Sequence, residues 1–301
     1  MHKQLGFGLA LAALAAGALA AESRVTGNLQ LQGAYLDPAL SGKGRWYLQS
    51  PNSWLGLEVR EQSSGSQYRA VLEADLNPLS FSEPATSRQM FLEWAQPLYS
   101  IRGGKLRSLE QQLLVSPVSL MHGYAGESTD SFKGGLAIEN YSVELEQPGI
   151  EFTASNGELV YVSGQWTFAD ENSASSLGQW AVATGLDTPE GSVALTYRSN
   201  DDGGLWGTSI MWRSEGLQLG GGTLYRDELL AWDLLAAYQA GTVISKLTYG
   251  RDELPEQSGD SRYWAFGIDR VFSEAILNYS EIRWQPEPEQ WRWMTGFRLT
   301  F

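Results

Sequence analysis

The chain contains no cysteine. Disulfide staples, thiol nucleophiles and cysteine metal sites are therefore excluded. Histidine is almost as scarce, with only His2 and His122. That leaves little material for a zinc centre or for histidine-assisted hydrolysis. Positive charge is short too: 21 Lys and Arg stand against 35 Asp and Glu, a net charge of −14. Nucleic-acid binding wants the opposite balance and is not expected. Beyond the first twenty residues no run of 18 apolar residues occurs, so no spanning helix is expected there. Helical periodicity is nearly missing as well.

What remains is glycine and aromatic residues. The 301 residues include 33 Gly, 12 Trp and 13 Tyr. Indole and phenol rings favour a boundary between water and hydrocarbon, because one end is apolar and the other forms hydrogen bonds. The first residues look like a leader. Lys3 is followed by an apolar stretch from Leu5 to Leu19 and by the small-x-small triplet Ala18-Leu19-Ala20. Residues 1–20 are expected to be an export signal, with 21–301 forming one domain.

Past the leader, period-2 alternation recurs in segments of about ten residues separated by Gly, Asn, Asp, Pro and Ser. The last segment is the clearest. Trp291, Trp293, Thr295, Phe297, Leu299 and Phe301 share one face, and Arg292, Met294, Gly296, Arg298 and Thr300 the other. A soluble sheet also alternates. However, no polar or helical stretch remains to build a second layer, and aromatic residues gather near segment ends. Two aromatic girdles flanking an apolar band would produce that pattern. The segments expected are 24–36, 53–62, 67–76, 87–96, 98–105, 138–154, 158–168, 178–187, 191–199 and 204–214. They continue as 217–226, 229–240, 242–251, 260–271, 274–284 and 290–301. Segment 138–154 is taken as one bulged strand, since Pro148 and Gly149 interrupt it. Sixteen is an even number, as closed bacterial barrels of this kind require. Short turns alternate with longer connections, notably 37–52 and 106–137.

Several stretches resemble the general porins of Gram-negative outer membranes. Ser53-Trp54-Leu55-Gly56-Leu57-Glu58, a short turn, and Tyr68 to Glu73 are similar to that family's second and third strands. Asn140 to Glu146 followed by Pro148 resembles the start of its sixth strand, and Val271 to Tyr279 its last turn and following strand. The ending Thr295 to Phe301 fits the outer-membrane assembly signal, carried by Gly296, Leu299 and Phe301. The family's third-loop acidic pattern is not matched closely. The resemblance implies an all-β, transmembrane antiparallel β-barrel of sixteen strands, with the third loop, here 106–137, folded into the pore. It also implies a homotrimer in outer-membrane lipid and lipopolysaccharide, inserted by the barrel-assembly machinery through the C-terminal strand. The function implied is passive diffusion of ions and small hydrophilic solutes, with no cofactor.

Strand parity then assigns the inner wall. With Leu55, Leu57 and Val59 outward, Glu58 and Arg60 point inward. With Ala70, Leu72 and Ala74 outward, Arg69, Glu73 and Asp75 point inward. Tyr99 and Ile101 outward leave Arg102 inward, and Arg24 follows if Val25, Leu29 and Leu31 face lipid. A charge on the lipid face near mid-membrane would cost roughly 2–4 kcal/mol, which makes the assignment firm. The candidate constriction sets Arg24, Arg60, Arg69 and Arg102 against Glu110, Glu127 and Asp130 of the long connection. In the plainer reading these are ordinary lumen charges paired with Glu58, Glu73 and Glu93. Competing functions are a substrate-selective channel for sugars or small acids, using the rings of Trp46, Tyr47, Phe91 and Tyr124, and a plugged or structural barrel. A hydrolase would have to use His122, near Ser119, Ser128 and Asp130.

Overall fold

A computed structural model describes residues 21–36, 44–50, 53–79, 86–114, 121–122, 146–156, 159–168, 178–200, 203–226, 229–252, 261–286 and 289–301. The leader 1–20 and the loop acids Glu127 and Asp130 lie outside them. No helix among the described residues is long and apolar enough to cross a membrane.

The strands are β1 (Glu22–Leu36), β2 (Arg45–Gln49), β3 (Trp54–Ser63), β4 (Ser66–Asp75), β5 (Thr86–Gln96) and β6 (Tyr99–Arg107). A short helix α1 (Leu109–Leu113) follows, then β7 (Glu146–Ser155), β8 (Val160–Thr167), β9 (Gln179–Thr188), β10 (Gly191–Asn200) and β11 (Gly203–Ser214). The last six are β12 (Leu217–Arg226), β13 (Leu229–Ala240), β14 (Val243–Asp252), β15 (Ser261–Val271), β16 (Ile276–Pro286) and β17 (Glu289–Thr300). Each is antiparallel to its neighbour, and β1 pairs with β17 on one side and with β2 and β3 on the other. The sheet closes on itself, and β2 and β3 share one position, so the barrel has sixteen. Backbone bonds between Gly27 and Phe301, at 2.8 and 3.1 Å, continue that seam to the end of the chain.

The expected segments match the strands closely, with one departure. The connection 37–52 contains β2, which sequence reading assigned to a loop. Five residues are too few for alternation to stand out beside Pro51, although Trp46 and Leu48 do point outward. Across the break between β2 and β3, Ser53 Oγ accepts from Gln30 N at 2.9 Å and Ser50 Oγ donates to Gln30 O at 2.6 Å. Hydroxyls thus replace the missing ladder bonds. Of segment 138–154 the second half is β7, which runs through Pro148 and Gly149 in unbroken register with β6, and 138–145 lie outside the described residues.

Short turns close on residues suited to them. Ser64 and Gly65 both have positive φ, as do Glu215 and Gly216, the geometry that lets a two-residue hairpin follow the sheet twist.

Burial is inverted relative to a soluble protein. Val182, Val193, Leu234, Leu247, Phe266 and Phe297 are exposed on the outside, while Gln30, Gln165, Arg198, Asp233, Lys246, Asp269 and Glu281 are buried within. On the outward parity of β4, Leu72 and Ala74 are themselves nearly covered. At the long-loop rim Trp180, Tyr197 and Trp206 form a ring chain, as do Trp232, Tyr249 and Trp264, while Trp94, Tyr99 and Phe152 cluster towards the short-turn rim. These are two aromatic belts bounding an apolar band. Strands of 10 to 12 residues are long enough to span hydrocarbon at a tilt.

Candidate channel interior

Strand register brings distant charges to one height. Arg60 stands opposite Arg69, Arg69 opposite Glu93, Glu93 opposite Arg102, and Arg102 opposite Glu151. The row continues through Gln165 and Ala181 to Arg198. It crosses the inner faces of β3 to β10.

Within it, Glu58 accepts from Arg60 Nε at 2.8 Å and from Arg69, whose Nη1 also reaches Glu93 at 3.3 Å. Arg107 Nη2 donates to Glu73 at 3.1 Å, and Arg102 Nε lies 3.4 Å from Glu151. The guanidinium groups of Arg69 and Arg102 both lie over the ring of Phe91, at 5.5 and 5.6 Å. Phe91 packs with Val71 and Leu106 in a small apolar patch on this wall and is buried. Its face is taken by the two cations, so it offers no platform to a sugar. Trp46 points outward beside Tyr35 and Trp293, and Tyr47 accepts from Arg292. Tyr124 lies outside the described residues.

Two pieces of the long connection touch the inner wall. Ser108 caps α1 by accepting from Gln111 N at 3.2 Å. The helix packs Leu109 and Leu113 on Ala181 and Ala183, inward residues of β9. Glu110 is fully buried against Arg198: Nε donates to both carboxylate oxygens at 3.2 Å, and Nη2 to Oε2 at 2.8 Å. Gln112 bridges Glu151 at 2.9 Å and Arg102 at 2.9 Å. The structure therefore places Glu110 beside β10, away from Arg60 and Arg69. Leu114 Cδ1 occupies the space a Cβ on Gly207 would need, 2.4 Å away, so glycine there admits the connection.

The second piece is Met121 and His122. The His122 backbone N–H donates to Glu281 Oε1 at 2.7 Å, and its carbonyl accepts from Gln30 Nε2 at 2.6 Å. Arg298 Nη1 donates to the ring Nδ1 at 3.0 Å, so Nε2 carries the proton and donates to Asp269 Oδ2, also at 3.0 Å. Both ring nitrogens are thus taken. Lys246 Nζ completes the cluster, 2.8 Å from Asp269 and 3.4 Å from Glu281. Burial holds the imidazole below its usual pKa; Asp269 opposes this, while Lys246 and Arg298 reinforce it. Ser119 and Ser128 lie outside the described residues. Among the described residues no group of His, Cys, Asp and Glu could hold a metal ion.

Of the other residues singled out in the sequence, Arg24 is exposed and stands opposite Glu58 in register. Gly296 faces inward and is buried, and Leu299 and Phe301 face outward. Sequence reasoning missed Glu151 and Glu281. For Glu151 the parity signal existed, but the interruption at Pro148 and Gly149 hid its phase.

No protein-family model and no curated protein matches the sequence. Solved structures do match. A mutant of the Rhodopseudomonas blastica porin superposes with a TM-score of 0.73 at 12% identity, covering 93% of this chain and 100% of that one. The anion-selective porin of Comamonas acidovorans gives 0.73 at 13% identity, with the same coverage. A loop-deletion mutant of OmpT, an outer membrane protein of Vibrio cholerae, gives 0.69 at 13%, covering 94% and 100%. The fold shared with them is the sixteen-stranded porin barrel.

Proposed function

On this porin fold, we propose that the chain is an outer-membrane channel through which ions and small hydrophilic solutes diffuse passively. The observation that carries the reading is the inverted barrel: an apolar, aromatic-belted exterior around an interior of charged and amide side chains. Hydrocarbon solvates the first and water the second, and sixteen strands leave room for an aqueous passage.

The third connection is proposed to cross that passage. Glu110 is fastened at β10 and His122 at β15 to β17, about six positions around a ring of sixteen. The eleven residues between them reach at most roughly 40 Å, enough to cross and too few for a long detour. Export by the leader 1–20, a homotrimeric assembly, lipopolysaccharide contacts and insertion through the C-terminal strand belong to the same reading. They rest on the sequence resemblance and on the neighbours' fold.

A narrower reading has one observation in its favour. Leu205, Leu224, Tyr263 and Met294 point inward and are fully covered, which supports an interior partly filled on that side. The test is ion current through the purified protein in a planar bilayer. Stepwise openings support the channel, and silence from a folded barrel supports a plugged one.

A further inference from the structure

We propose that the open passage runs along β3 to β7 and prefers small anions, carboxylate- or phosphate-bearing solutes and chloride, although the chain as a whole is acidic. The inference rests on the channel reading above and adds the class of solute.

The charges on this wall are nearly balanced in number, so counting them gives no sign. Their depth does. The side chains of Arg60, Arg69, Arg102 and Arg107 are 22 to 48% exposed, whereas those of Glu58, Glu73, Glu93 and Glu151 are 2 to 13% exposed. Each carboxylate lies close to the sheet with an arginine reaching over it. Glu58 is covered by Arg60 and Arg69, Glu93 by Arg69, Glu73 by Arg107, and Glu151 by Arg102 with Gln112 and Gln165. The reason is partly length: an arginine stem is longer than a glutamate stem, so paired groups on one wall separate in height. It is partly Phe91, whose ring lies beneath the guanidinium groups of Arg69 and Arg102.

A solute in the passage therefore meets guanidinium edges first. Each presents N–H donors in a planar fork suited to carboxylate and phosphate oxygens. Arg60 and Arg69 line a cavity of 200 Å³ with Gln67, Glu93 and Ala95, large enough for a small anion and its water. Asp75 reverses the order, half-exposed beside Arg88, but it sits at the end of β4 next to the long-loop rim. Glu22 and Asp187, exposed on the inward parity of β1 and β9, lie at strand ends by the short-turn rim, Glu22 opposite Arg60; the deeper charges of the other wall are covered. Glu110, Arg198, Lys246, Asp269 and Glu281 are at most 4% exposed and already spent on holding the connection.

The test is the reversal potential of the purified full-length protein in neutral bilayers under a potassium chloride gradient. The expected sign is the one for chloride crossing more readily than potassium. In Arg60→Gln with Arg69→Gln the chloride-to-potassium permeability ratio should fall by roughly twofold or more. Arg60→Lys with Arg69→Lys, which keeps the charge, should retain the wild-type sign. A wild-type preference for potassium, or none, overturns the proposal while leaving the channel intact; it would mean that carboxylates outside this wall set the field. Absence of any current overturns the channel reading and this proposal with it. The wild-type sign alone decides, so a variant that fails to fold leaves the test sound.

Discussion

Removing the charge of Glu110 should release α1 from the barrel wall without unfolding the barrel. Glu110 and Arg198 are both essentially inaccessible, and the guanidinium makes three contacts of 2.8 to 3.2 Å to the carboxylate, with one more to Gln165 at 3.2 Å. In Glu110→Gln the buried arginine keeps an acceptor but loses its counter-charge. Breaking one side of such a pair costs about 3–5 kcal/mol, and the retained hydrogen bond puts this change near the lower end. Tenfold per 1.4 kcal/mol then raises the detached population by about two orders of magnitude. The cost falls on α1, because the strands around Arg198 keep their own ladders. The reporters are the amides of Gln112 and Leu114, which donate to Ser108 and Glu110 carbonyls at 3.0 Å. Their hydrogen exchange should accelerate about a hundredfold, while exchange in β10 and β11 stays unchanged. Glu110→Leu with Arg198→Met should recover much of the protection, since an apolar pair of similar volume carries no desolvation cost. Unchanged exchange in Glu110→Gln, or a double variant no better than the single, would refute the assignment of this pair as the anchor.

Three further outcomes follow from other contacts. Burial holds the folded-state pKa of His122 below its ordinary value of 6.5, so just below that pH the unfolded or detached state binds more protons than the folded one. The stability of this attachment is present above that pH and declines as pH falls from it towards the depressed value. Current noise should therefore grow on mild acidification in the wild type, and a His122→Gln variant with the same acid response would contradict this. Gly267→Val adds a side chain whose Cβ alone would lie 3.1 Å from Met121 Sδ and Lys246 Cε and 3.2 Å from Glu281 Cγ. Overpacking of this kind costs about 1–3 kcal/mol, and it should displace residues 121–122 and change the single-channel amplitude. Deleting Phe301 removes the backbone bonds to Gly27 that continue the closing seam; the folded fraction on refolding into detergent should drop, and an unchanged yield would count against that role.

The barrel was legible because its two signals are local. Alternation fixes each strand and its inner face, and turn residues fix the ends. Arg60, Arg69, Arg102, Glu58, Glu73 and Glu93 follow from parity alone. Where the local signal is short, as in β2, the strand was missed; around Pro148 the strand was expected and β7 runs through it, but the phase that turns Glu151 inward was not read. The anchors were out of reach for a different reason. Glu110 is visible as a loop acid, but its partner is 88 positions away. His122 reads as a lone histidine, while its cradle comes from β1, β15, β16 and β17, up to 176 positions distant. Such pairings depend on barrel closure, and one strand's pattern does not encode them. The depth difference between arginine and glutamate on one wall likewise appears only when side chains are placed.

The central claim is an open aqueous passage through an inverted barrel, and single-channel recording tests it most directly. Purified protein added to a planar bilayer should produce stable, stepwise increases in current, grouped in threes if three barrels insert together. Persistent silence from protein shown to be folded and inserted would contradict the account and leave a plugged, structural barrel in its place.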